Sequence, residues 1–167
     1  MTHAALVSIL LPVYNAGIYL QESVESILKQ TYTEFELLIL DDGSTDGCSD
    51  FLNQITDERI HLIKRNHNYI ATLNYGLSIA SGRYIARMDA DDKMLPTRLE
   101  EQVAVLEADK NIMICASYMQ RMGGEDVYNS GLKGKINPFA HILLLGNFIA
   151  HPTVMLRTDY FQAHQLK

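Results

Sequence analysis

Strand-like and helix-like segments alternate through most of the chain, and this alternation limits the folds that are open to it. Leu6–Leu11 and Phe35–Leu40 are short apolar runs that stop at Pro12 and at Asp41, which is typical of strands buried on both faces of a sheet. The segments that follow these runs carry apolar residues at helical spacing. Strands that alternate with helices predict an α/β fold, with a mostly parallel sheet flanked by helices.

The same patterns place the individual elements. Arg121–Asn137 is polar and contains glycines, which predicts a loop or a small hairpin. The predicted strands are Leu6–Leu11, Phe35–Leu40, Ile60–Ile63, Arg83–Met88, Ile112–Met119 and Thr153–Arg157. The predicted helices are Ala16–Gln30, Asp46–Ile55, Ile70–Ala80, Leu95–Ala108 and Pro138–Leu145.

Single residues predict how several of these elements begin and end. Ser44 or Thr45 is the expected N-cap of the second helix. Pro96 is expected in the first turn of a later helix, where its missing N–H costs nothing. Gly82 is expected to end the helix before it, and Asn68 to adopt a left-handed backbone.

Composition narrows the class of protein. The chain has 167 residues, enough for one domain with its own core, and its 47% hydrophobic and 20% charged residues are typical of globular proteins. A formal net charge of -6 argues against nucleic-acid binding, which needs clustered Lys and Arg. A phosphorylated ligand would need a local source of positive charge, and a metal ion held by carboxylates would supply it.

The cysteines and the N-terminus bear on the compartment. Cys48 and Cys115 show neither metal-ligand spacing nor a disulfide framework, which favours two reduced thiols in an intracellular protein. The N-terminus lacks the basic residues of a secretory signal, and the apolar run Ala4–Val13 is too short to span a bilayer. We expect a cytoplasmic protein without a transmembrane segment.

Two acidic clusters follow predicted strands. Asp41-Asp42 comes after the second strand, and Asp89-Ala-Asp91-Asp92 after the fourth. Ligands of such sheets bind outside the carboxyl ends of the strands, so both clusters are expected at one edge. Carboxylates this close repel one another unless a cation offsets them, and their oxygens are the ligands that Mg²⁺ or Mn²⁺ prefers.

Simpler interpretations of these residues stay open. Asp-x-Asp is a frequent pattern, and the cluster could simply be a solvated turn or a helix start in which Asp91 or Asp92 caps the helix that follows. Asp41-Asp42 could belong to an ordinary turn, although two acids before Gly43 exceed what a turn requires. A carboxylate there could instead accept a hydrogen bond from a nucleobase or a ribose.

Two further residues are placed near the same edge. Tyr14 closes the first strand and offers a flat face on which a base could stack. His151 precedes the last strand, and a lone histidine is more often structural than catalytic.

Together these stretches resemble the family 2 glycosyltransferases, which have the GT-A fold, a Rossmann-like, mostly parallel sheet flanked by helices. The order and spacing of the pieces cover nearly the whole chain, and the set is specific although no single piece is. The matching pieces are Val7–Asn15, Ser26–Thr31, Phe35–Asp46, Leu73–Gly76, Ala80–Ala86, Asp89–Asp92, Pro96–Leu99 and His151–Met155.

The resemblance implies a role for each site residue. Pro12 and Tyr14 would line the base pocket, Asp42 would hydrogen-bond the base, usually uracil, and Asp41 would support that loop. Asp89 would lie against the ribose and the metal. The metal ligands would be Asp91, with Asp89 beside it, around the Mn²⁺ or Mg²⁺ that bridges the diphosphate.

The implied reaction is an inverting transfer of a hexosyl or hexosaminyl group. The donor would be a nucleotide-diphospho-sugar, expected to be a UDP-sugar, and the acceptor a hydroxyl of a saccharide or of a lipid-linked glycan in polysaccharide or glycolipid synthesis. A lipid-linked acceptor could bring the protein to the cytoplasmic face of a membrane as a peripheral protein. No nucleic-acid partner is expected.

This chain departs from the family pattern in two places. Asn68 stands where the family often has Gly. The family's catalytic base lies in an acidic motif beyond the His-Pro strand, and the sequence reaches Lys167 before such a motif. We therefore expect residues 1–167 to be a single nucleotide-sugar-binding domain, the N-terminal part of a longer protein, with no catalytic residue of its own.

Three other functions would use some of the same residues or the same fold. A nucleotide-sugar-binding module without transfer activity fits the missing base. A dinucleotide-dependent oxidoreductase fits poorly, because Asn15-Ala16-Gly17 stands where a Gly-x-Gly-x-x-Gly motif would follow the first strand. A nucleotidyltransferase would use similar acids.

Overall fold

The structure is a computed structural model that describes residues 7–124, 127–128, 134–135 and 149–163. Its α-helices are α1 (Tyr19–Leu28), α2 (Tyr69–Ile79), α3 (Arg98–Ala108) and a short helix at Thr158–Ala163, and 3₁₀ helices lie at Asp50–Gln54 and His151–Thr153. Its strands are β1 (Val7–Val13), β2 (Phe35–Asp41), β3 (Ile60–Lys64), β4 (Tyr84–Arg87), β5 (Ile114–Cys115), β6 (Met119–Gln120), β7 (Val127–Tyr128) and β8 (Met155–Arg157).

The described residues form a six-stranded sheet in the order β3-β2-β1-β4-β8-β5. The first four of these strands are parallel to one another, whereas β8 runs antiparallel to both β4 and β5. The prediction of a mostly parallel sheet flanked by helices is confirmed. Strand β1 lies at the centre with β2 on one side and β4 on the other, so residues that follow these strands meet at one edge.

Two apolar clusters cover the two faces of the sheet. The alternation of side chains sends Ile9 and Leu11 of β1 to one cluster and Leu10 to the other. Helices α1 and α3 close the larger cluster, and α2 packs on the smaller one. The larger cluster includes Leu20, Val24, Ile27, Leu99 and Leu106, and the smaller one is joined by Leu73 and Leu77.

The two predicted helices nearest the acidic clusters are shorter than expected. The predicted helix Ala16–Gln30 begins only at Tyr19, because Asn15 (φ 48°) and Gly17 (φ 56°) adopt left-handed backbones before it. The predicted helix Asp46–Ile55 is the 3₁₀ helix Asp50–Gln54.

The expected caps of that second helix are wrong. Ser49, not Ser44 or Thr45, precedes it. Ser44 and Thr45 bond across the loops instead: the Asn15 N–H donates to Ser44 Oγ at 3.1 Å, and the Thr45 N–H to Asn15 Oδ1 at 2.8 Å. Ser44 and Thr45 therefore connect the loop after β2 to the loop after β1, and neither residue caps a helix.

Three other local expectations also fail. Asn68 has an extended backbone (φ -165°) and is the N-cap of α2, its side chain accepting from the Ala71 N–H. Helix α3 begins at Arg98, so Pro96 lies before its first turn, and its carbonyl accepts the Thr31 N–H at 2.9 Å. Helix α2 ends at Ile79, before Gly82 is reached.

The C-terminal third differs most from the prediction. The predicted strand Ile112–Met119 is divided between β5 and β6, because Ser117 bonds to the Thr153 side chain instead of continuing a ladder. Thr153 itself lies in a 3₁₀ helix rather than in the last strand. The antiparallel pair β6–β7 matches the hairpin alternative for Arg121–Asn137.

Two further expectations concern a helix in the C-terminal third and helices that could span a membrane. The predicted helix Pro138–Leu145 lies outside the described residues. Within the described residues, no helix has the length and apolarity needed to cross a membrane.

Candidate functional site

The two acidic clusters meet at the carboxyl edge of the parallel strands. The Asp42 N–H donates to the Val13 carbonyl at 2.8 Å, and the Met88 N–H donates to the Leu10 carbonyl at 3.1 Å. These bonds hold the chain after β2 and after β4 against the two sides of β1. The convergence that the strand order predicted is therefore present in the structure.

A cleft of about 470 Å³ opens at this edge. Of the residues proposed from the sequence, Pro12, Tyr14, Asp89 and Asp91 line it. The remaining lining residues are Asn15, Ala16, Gly17, Tyr19, Tyr69, Arg87 and Ala90. The walls thus combine exposed aromatic rings with charged side chains, the lining expected of a polar ligand that also carries a flat ring.

Asp41 is not among the residues that line the cleft, and it organises the loop after β2. It is 3% exposed, and its two carboxylate oxygens accept the Ser44 N–H at 2.8 Å and the Ser49 hydroxyl at 3.1 Å. The carboxylate is thus occupied by groups of its own loop. Its position agrees with support of that loop and leaves no oxygen directed at a ligand.

Asp42 is also buried and faces the loop before α2. Its Oδ1 accepts the Asn68 N–H at 2.9 Å and the Thr72 hydroxyl at 2.5 Å. Its Oδ2 lies 2.9 Å from His67 Nδ1 but accepts no hydrogen bond of good geometry from a described residue. Burial acts to raise the pKa of Asp42, but Thr72, Asn68 and His67 outweigh it, so the pKa lies below its ordinary value and the group is ionised.

Tyr14 already has a stacking partner. Its ring lies 4.2 Å from the His67 ring, centroid to centroid, with an interplanar angle of 26°. Tyr14 remains 51% exposed, so its ring still offers surface to the cleft. His67 thereby connects this aromatic surface to the buried carboxylate of Asp42.

Asp89 stands at the opposite end of the cleft between two basic side chains. Its Oδ1 accepts from Arg87 Nη2 at 2.9 Å, and its Oδ2 lies 3.2 Å from His151 Nε2. His151, for which the sequence alone favoured a structural role, therefore contacts one of the candidate site residues. Arg87 Nη2 also donates to the Tyr69 hydroxyl at 2.7 Å, which links β4 to the start of α2.

The chemistry of the carboxylates at this end fits a divalent cation. Asp91 is exposed in the cleft wall, and burial together with the charges of Asp89 and Asp91 raises the pKa of the neighbouring Asp92. The described residues contain no group of three His, Cys, Asp or Glu side chains arranged around a metal. One or two carboxylates are nevertheless what such an ion takes from protein when phosphates complete its shell.

The simpler interpretation of these acids as helix caps does not hold. Helix α3 begins at Arg98 after Thr97, well beyond Asp91 and Asp92. The Asp92 N–H bonds to the Asp89 carbonyl at 3.2 Å, which makes the cluster a turn. Three acidic residues therefore lie in one turn after β4, and none of them caps α3.

Arg87 and Tyr69 are site residues that the sequence analysis missed. A signal for Arg87 was present, because a charged residue in a strand buried on both faces is unusual away from a site. Tyr69 had no comparable signal, since its place depends on how α2 packs beside β4. His67 and Thr72 were likewise missed, because their contacts with Asp42 arise only in the folded chain.

Comparison with known proteins identifies the family. The sequence model described as "Glycosyl transferase family 2" matches residues 8–163. The chain belongs to glycosyl transferase family 2. The recognition made from the sequence motifs is therefore confirmed.

Named relatives of this family 2 chain are glycosyltransferases. An uncharacterized glycosyltransferase of Haemophilus influenzae is 35% identical over 99% of this chain and 56% of its own length. The putative glycosyltransferase EpsE of Bacillus subtilis is 36% identical over 97% of this chain and 60% of its own length. A UDP-Glc:alpha-D-GlcNAc-diphosphoundecaprenol beta-1,3-glucosyltransferase of Escherichia coli, WfaP, is 40% identical over 68% of this chain and 46% of its own. The chain thus spans about half to three fifths of these relatives.

Solved structures share the GT-A fold of this family 2 chain. S. aureus TarS 1-349 in complex with UDP-GlcNAc superposes with a TM-score of 0.80 at 22% identity, covering 96% of this chain and 47% of the other. The mannosyltransferase PcManGT from Pyrobaculum calidifontis, in complex with GDP-Man and Mn²⁺, has a TM-score of 0.71 at 19% identity, covering 98% and 47%. At these identities the likeness shows the fold alone.

Proposed function

We propose that this chain is the donor-binding part of an inverting glycosyltransferase that transfers a sugar from a UDP-sugar to an acceptor hydroxyl. One observation carries the proposal: a single cleft at the carboxyl edge of the sheet has an aromatic surface at Tyr14 and two carboxylates at Asp89 and Asp91. A nucleoside diphosphate has a flat base at one end and a charged diphosphate at the other. The two ends of the cleft match these two chemistries.

The base and the buried carboxylate meet at the first end. The uracil rests against Tyr14, and Asp42 Oδ2 accepts its N–H, since Oδ1 is already engaged by Asn68 and Thr72. Pro12 lines the floor of this pocket, and Asp41 holds the loop beneath it. A base that approaches Asp42 displaces His67, whose ring is 59% exposed and can rotate into solvent.

The diphosphate lies at the second end, with Mn²⁺ or Mg²⁺. Asp91 would be the principal ligand of that ion, and Asp89 would lie beside it against the ribose. When bound, the ion acts as a Lewis acid on the departing nucleoside diphosphate. Asp89 is held ready by Arg87 and His151, which fix its orientation.

The relatives support a role in saccharide or glycolipid synthesis. The printed name of WfaP specifies UDP-Glc and a diphosphoundecaprenol-linked acceptor, and TarS 1-349 is described with UDP-GlcNAc. A hexosyl or hexosaminyl donor and a saccharide or lipid-linked acceptor are the corresponding proposals for this chain. A lipid-linked acceptor would bring the protein to the cytoplasmic face of a membrane.

Residues 1–167 are proposed to form one donor-binding domain. All the donor contacts proposed above come from β1 and from the loops that follow β1, β2 and β4. No carboxylate of the described residues is proposed as the general base that would take the proton from the acceptor hydroxyl.

Titration calorimetry with UDP tests the proposal. The chain should bind UDP, bind it about ten-fold or more tightly with Mn²⁺ than in EDTA, and prefer it to NAD and GDP. Asp91→Asn should lose the increment that Mn²⁺ adds, because the ion loses its principal ligand. Asp50→Asn, an exposed acid outside the cleft, is the matched control and should behave as wild type.

Two outcomes would refute parts of this proposal. Preference for NAD over UDP would eliminate the glycosyltransferase donor site. An undiminished effect of Mn²⁺ in Asp91→Asn would show that the ion binds elsewhere.

A further inference from the structure

The cleft contains one cationic side chain among its lining residues. The chain carries a formal net charge of -6, and two of its acidic residues, Asp89 and Asp91, lie in the cleft wall. Arg87 is the only Lys, Arg or His among the residues that line it in the described structure. An anionic ligand in this cleft therefore has one protein cation with which to interact.

The strand places Arg87 where a ligand can reach it. Tyr84 and Ala86 of β4 point into the larger apolar cluster, and Ile85 into the smaller one. Arg87 follows on the same face as Ile85, at the carboxyl end of the strand, beside Tyr69. The side chain is 20% exposed, so the guanidinium borders the cleft instead of facing bulk water.

The known partners of Arg87 use only part of its guanidinium. Both the Asp89 contact at 2.9 Å and the Tyr69 contact at 2.7 Å are made by Nη2. The buried Nε has no hydrogen-bond partner among the described residues. An arginine that served only to pin Asp89 would be expected to use its two-pronged geometry on the carboxylate, as Arg59 does on Asp57.

Arg87 also lies between the two ends of the cleft. Its hydroxyl partner Tyr69 directly follows Asn68, whose N–H binds the carboxylate of Asp42 at the base end. Its carboxylate partner Asp89 belongs to the acidic end. In a nucleoside diphosphate, the ribose and the diphosphate connect the base to the metal, so a nucleotide that spans the cleft would bring this middle portion toward Arg87.

We propose that Arg87 is a donor-binding residue that contacts the diphosphate of the nucleotide. The proposal rests on the donor site described above and adds a second source of positive charge beside the metal. Phosphate oxygens share the guanidinium with Asp89, so donor binding keeps a component that does not require the metal. A guanidinium suits this role because its planar donors match phosphate geometry.

The measurement compares UDP with uridine in EDTA, because the two ligands differ only in the diphosphate. Wild-type chain should bind UDP more tightly than uridine without metal. Arg87→Met should reduce this preference roughly ten-fold while leaving uridine affinity unchanged. Arg83→Met is the matched control. Arg83 is exposed, directly precedes the same strand and pairs with Glu107 outside the cleft.

A role for Arg87 in positioning Asp89 alone predicts a different result. In that case Arg87→Met would weaken the effect of Mn²⁺ but keep the wild-type preference for UDP over uridine in EDTA, which would overturn the proposal. If Arg87→Met fails to fold by circular dichroism, Arg87→Gln serves as the neutral variant, with the same expected loss.

The outcomes also separate this inference from the proposed function. A wild-type chain that shows no preference for UDP in EDTA but gains one with Mn²⁺ refutes the role of Arg87 and leaves the donor site intact. A chain that binds neither uridine nor UDP under either condition refutes both.

Discussion

The aspartates of the candidate site differ in exposure and in how many hydrogen-bond donors contact them. This difference distinguishes those that stabilise the fold from those that face a ligand. Asp41 and Asp42 are 3% and 1% exposed, and backbone or hydroxyl donors already occupy most of their oxygens. Asp91 is exposed in the cleft wall, and none of the described residues donates such a hydrogen bond to it. Substitution of Asp42 should therefore affect stability as well as binding, whereas substitution of Asp91 should affect binding alone.

Asp42→Asn should lower the free energy of unfolding by about 1–3 kcal/mol at pH 7, because an ionised acceptor of two hydrogen bonds is lost. The pKa of Asp42 is lower in the folded chain than its ordinary 3.8, so its contribution is fully present above the unfolded value. It is lost as the pH falls through the folded pKa. Urea unfolding followed from pH 7 to well below pH 3.8 should show the difference in unfolding free energy between wild type and variant narrowing once the pH falls below that value.

The control for this prediction is Asp50→Asn, an exposed aspartate, which should track wild type at every pH. A gap for Asp42→Asn that stayed constant down to the lowest pH would mean that the charge of Asp42 contributes nothing to stability.

At the scale of elements, the turn before β4 sets the position of the acidic cluster. The Gly82 N–H donates to Ser8 Oγ at 2.8 Å, and a β-carbon on Gly82 would lie 2.5 Å from the backbone nitrogen of Ser8. This close approach lets β4 run alongside β1 and deliver Asp89 to the cleft. Gly82 thus matters for strand packing, rather than for ending a helix as its sequence position suggested.

Gly82→Ala should destabilise the chain by about 1–3 kcal/mol, because the clash involves backbone atoms that cannot move aside. Gly124→Ala is the matched control: its β-carbon would meet only atoms of Arg121 at 3.7 Å or more, so the change should stay within about 0.5 kcal/mol. Thermal unfolding of both variants makes the comparison. Equal effects of the two substitutions would contradict the packing role given to Gly82.

The elements also show what the sequence could predict. The runs that became β1 and β2 and the helical spacing of α1 to α3 were sufficient for the parallel core, since both depend on local hydrophobic periodicity. The antiparallel direction of β8 could not be predicted, because the sequence of Met155–Arg157 does not indicate in which direction the strand runs. The 3₁₀ form of Asp50–Gln54 likewise depends on loop contacts that no local pattern encodes.

The site was predictable to a similar degree. The placement of Asp42 and Asp89 at one edge was predictable, because β2 and β4 both pair with β1 in parallel and their carboxyl ends therefore lie on the same side of the sheet. The contacts of His67, Thr72 and His151 were not, since each joins segments far apart in the chain. Asn68 was assigned a left-handed backbone from its residue type, but capping of α2 determines its conformation.

At the scale of the whole molecule, an acidic family 2 chain places one arginine and a group of carboxylates around one cleft. Because the chain is acidic and the cleft contains carboxylates, a diphosphate needs positive charge in order to bind. In this account Arg87 and a metal ion supply that charge. The described structure has a second depression of about 540 Å³, lined by Lys64, Arg65, Asn66, Asn68 and Ala71, which offers cations without carboxylates. The cleft and this depression are therefore two alternative places for a nucleotide to bind.

A crystal structure of the chain with UDP and Mn²⁺ decides between them. We predict that the nucleotide occupies the cleft, with the uracil beside Tyr14 and Asp42 and with Mn²⁺ between Asp91 and the diphosphate. Nucleotide bound in the depression at Lys64 and Arg65, with the cleft empty, would contradict the assignment of the donor site.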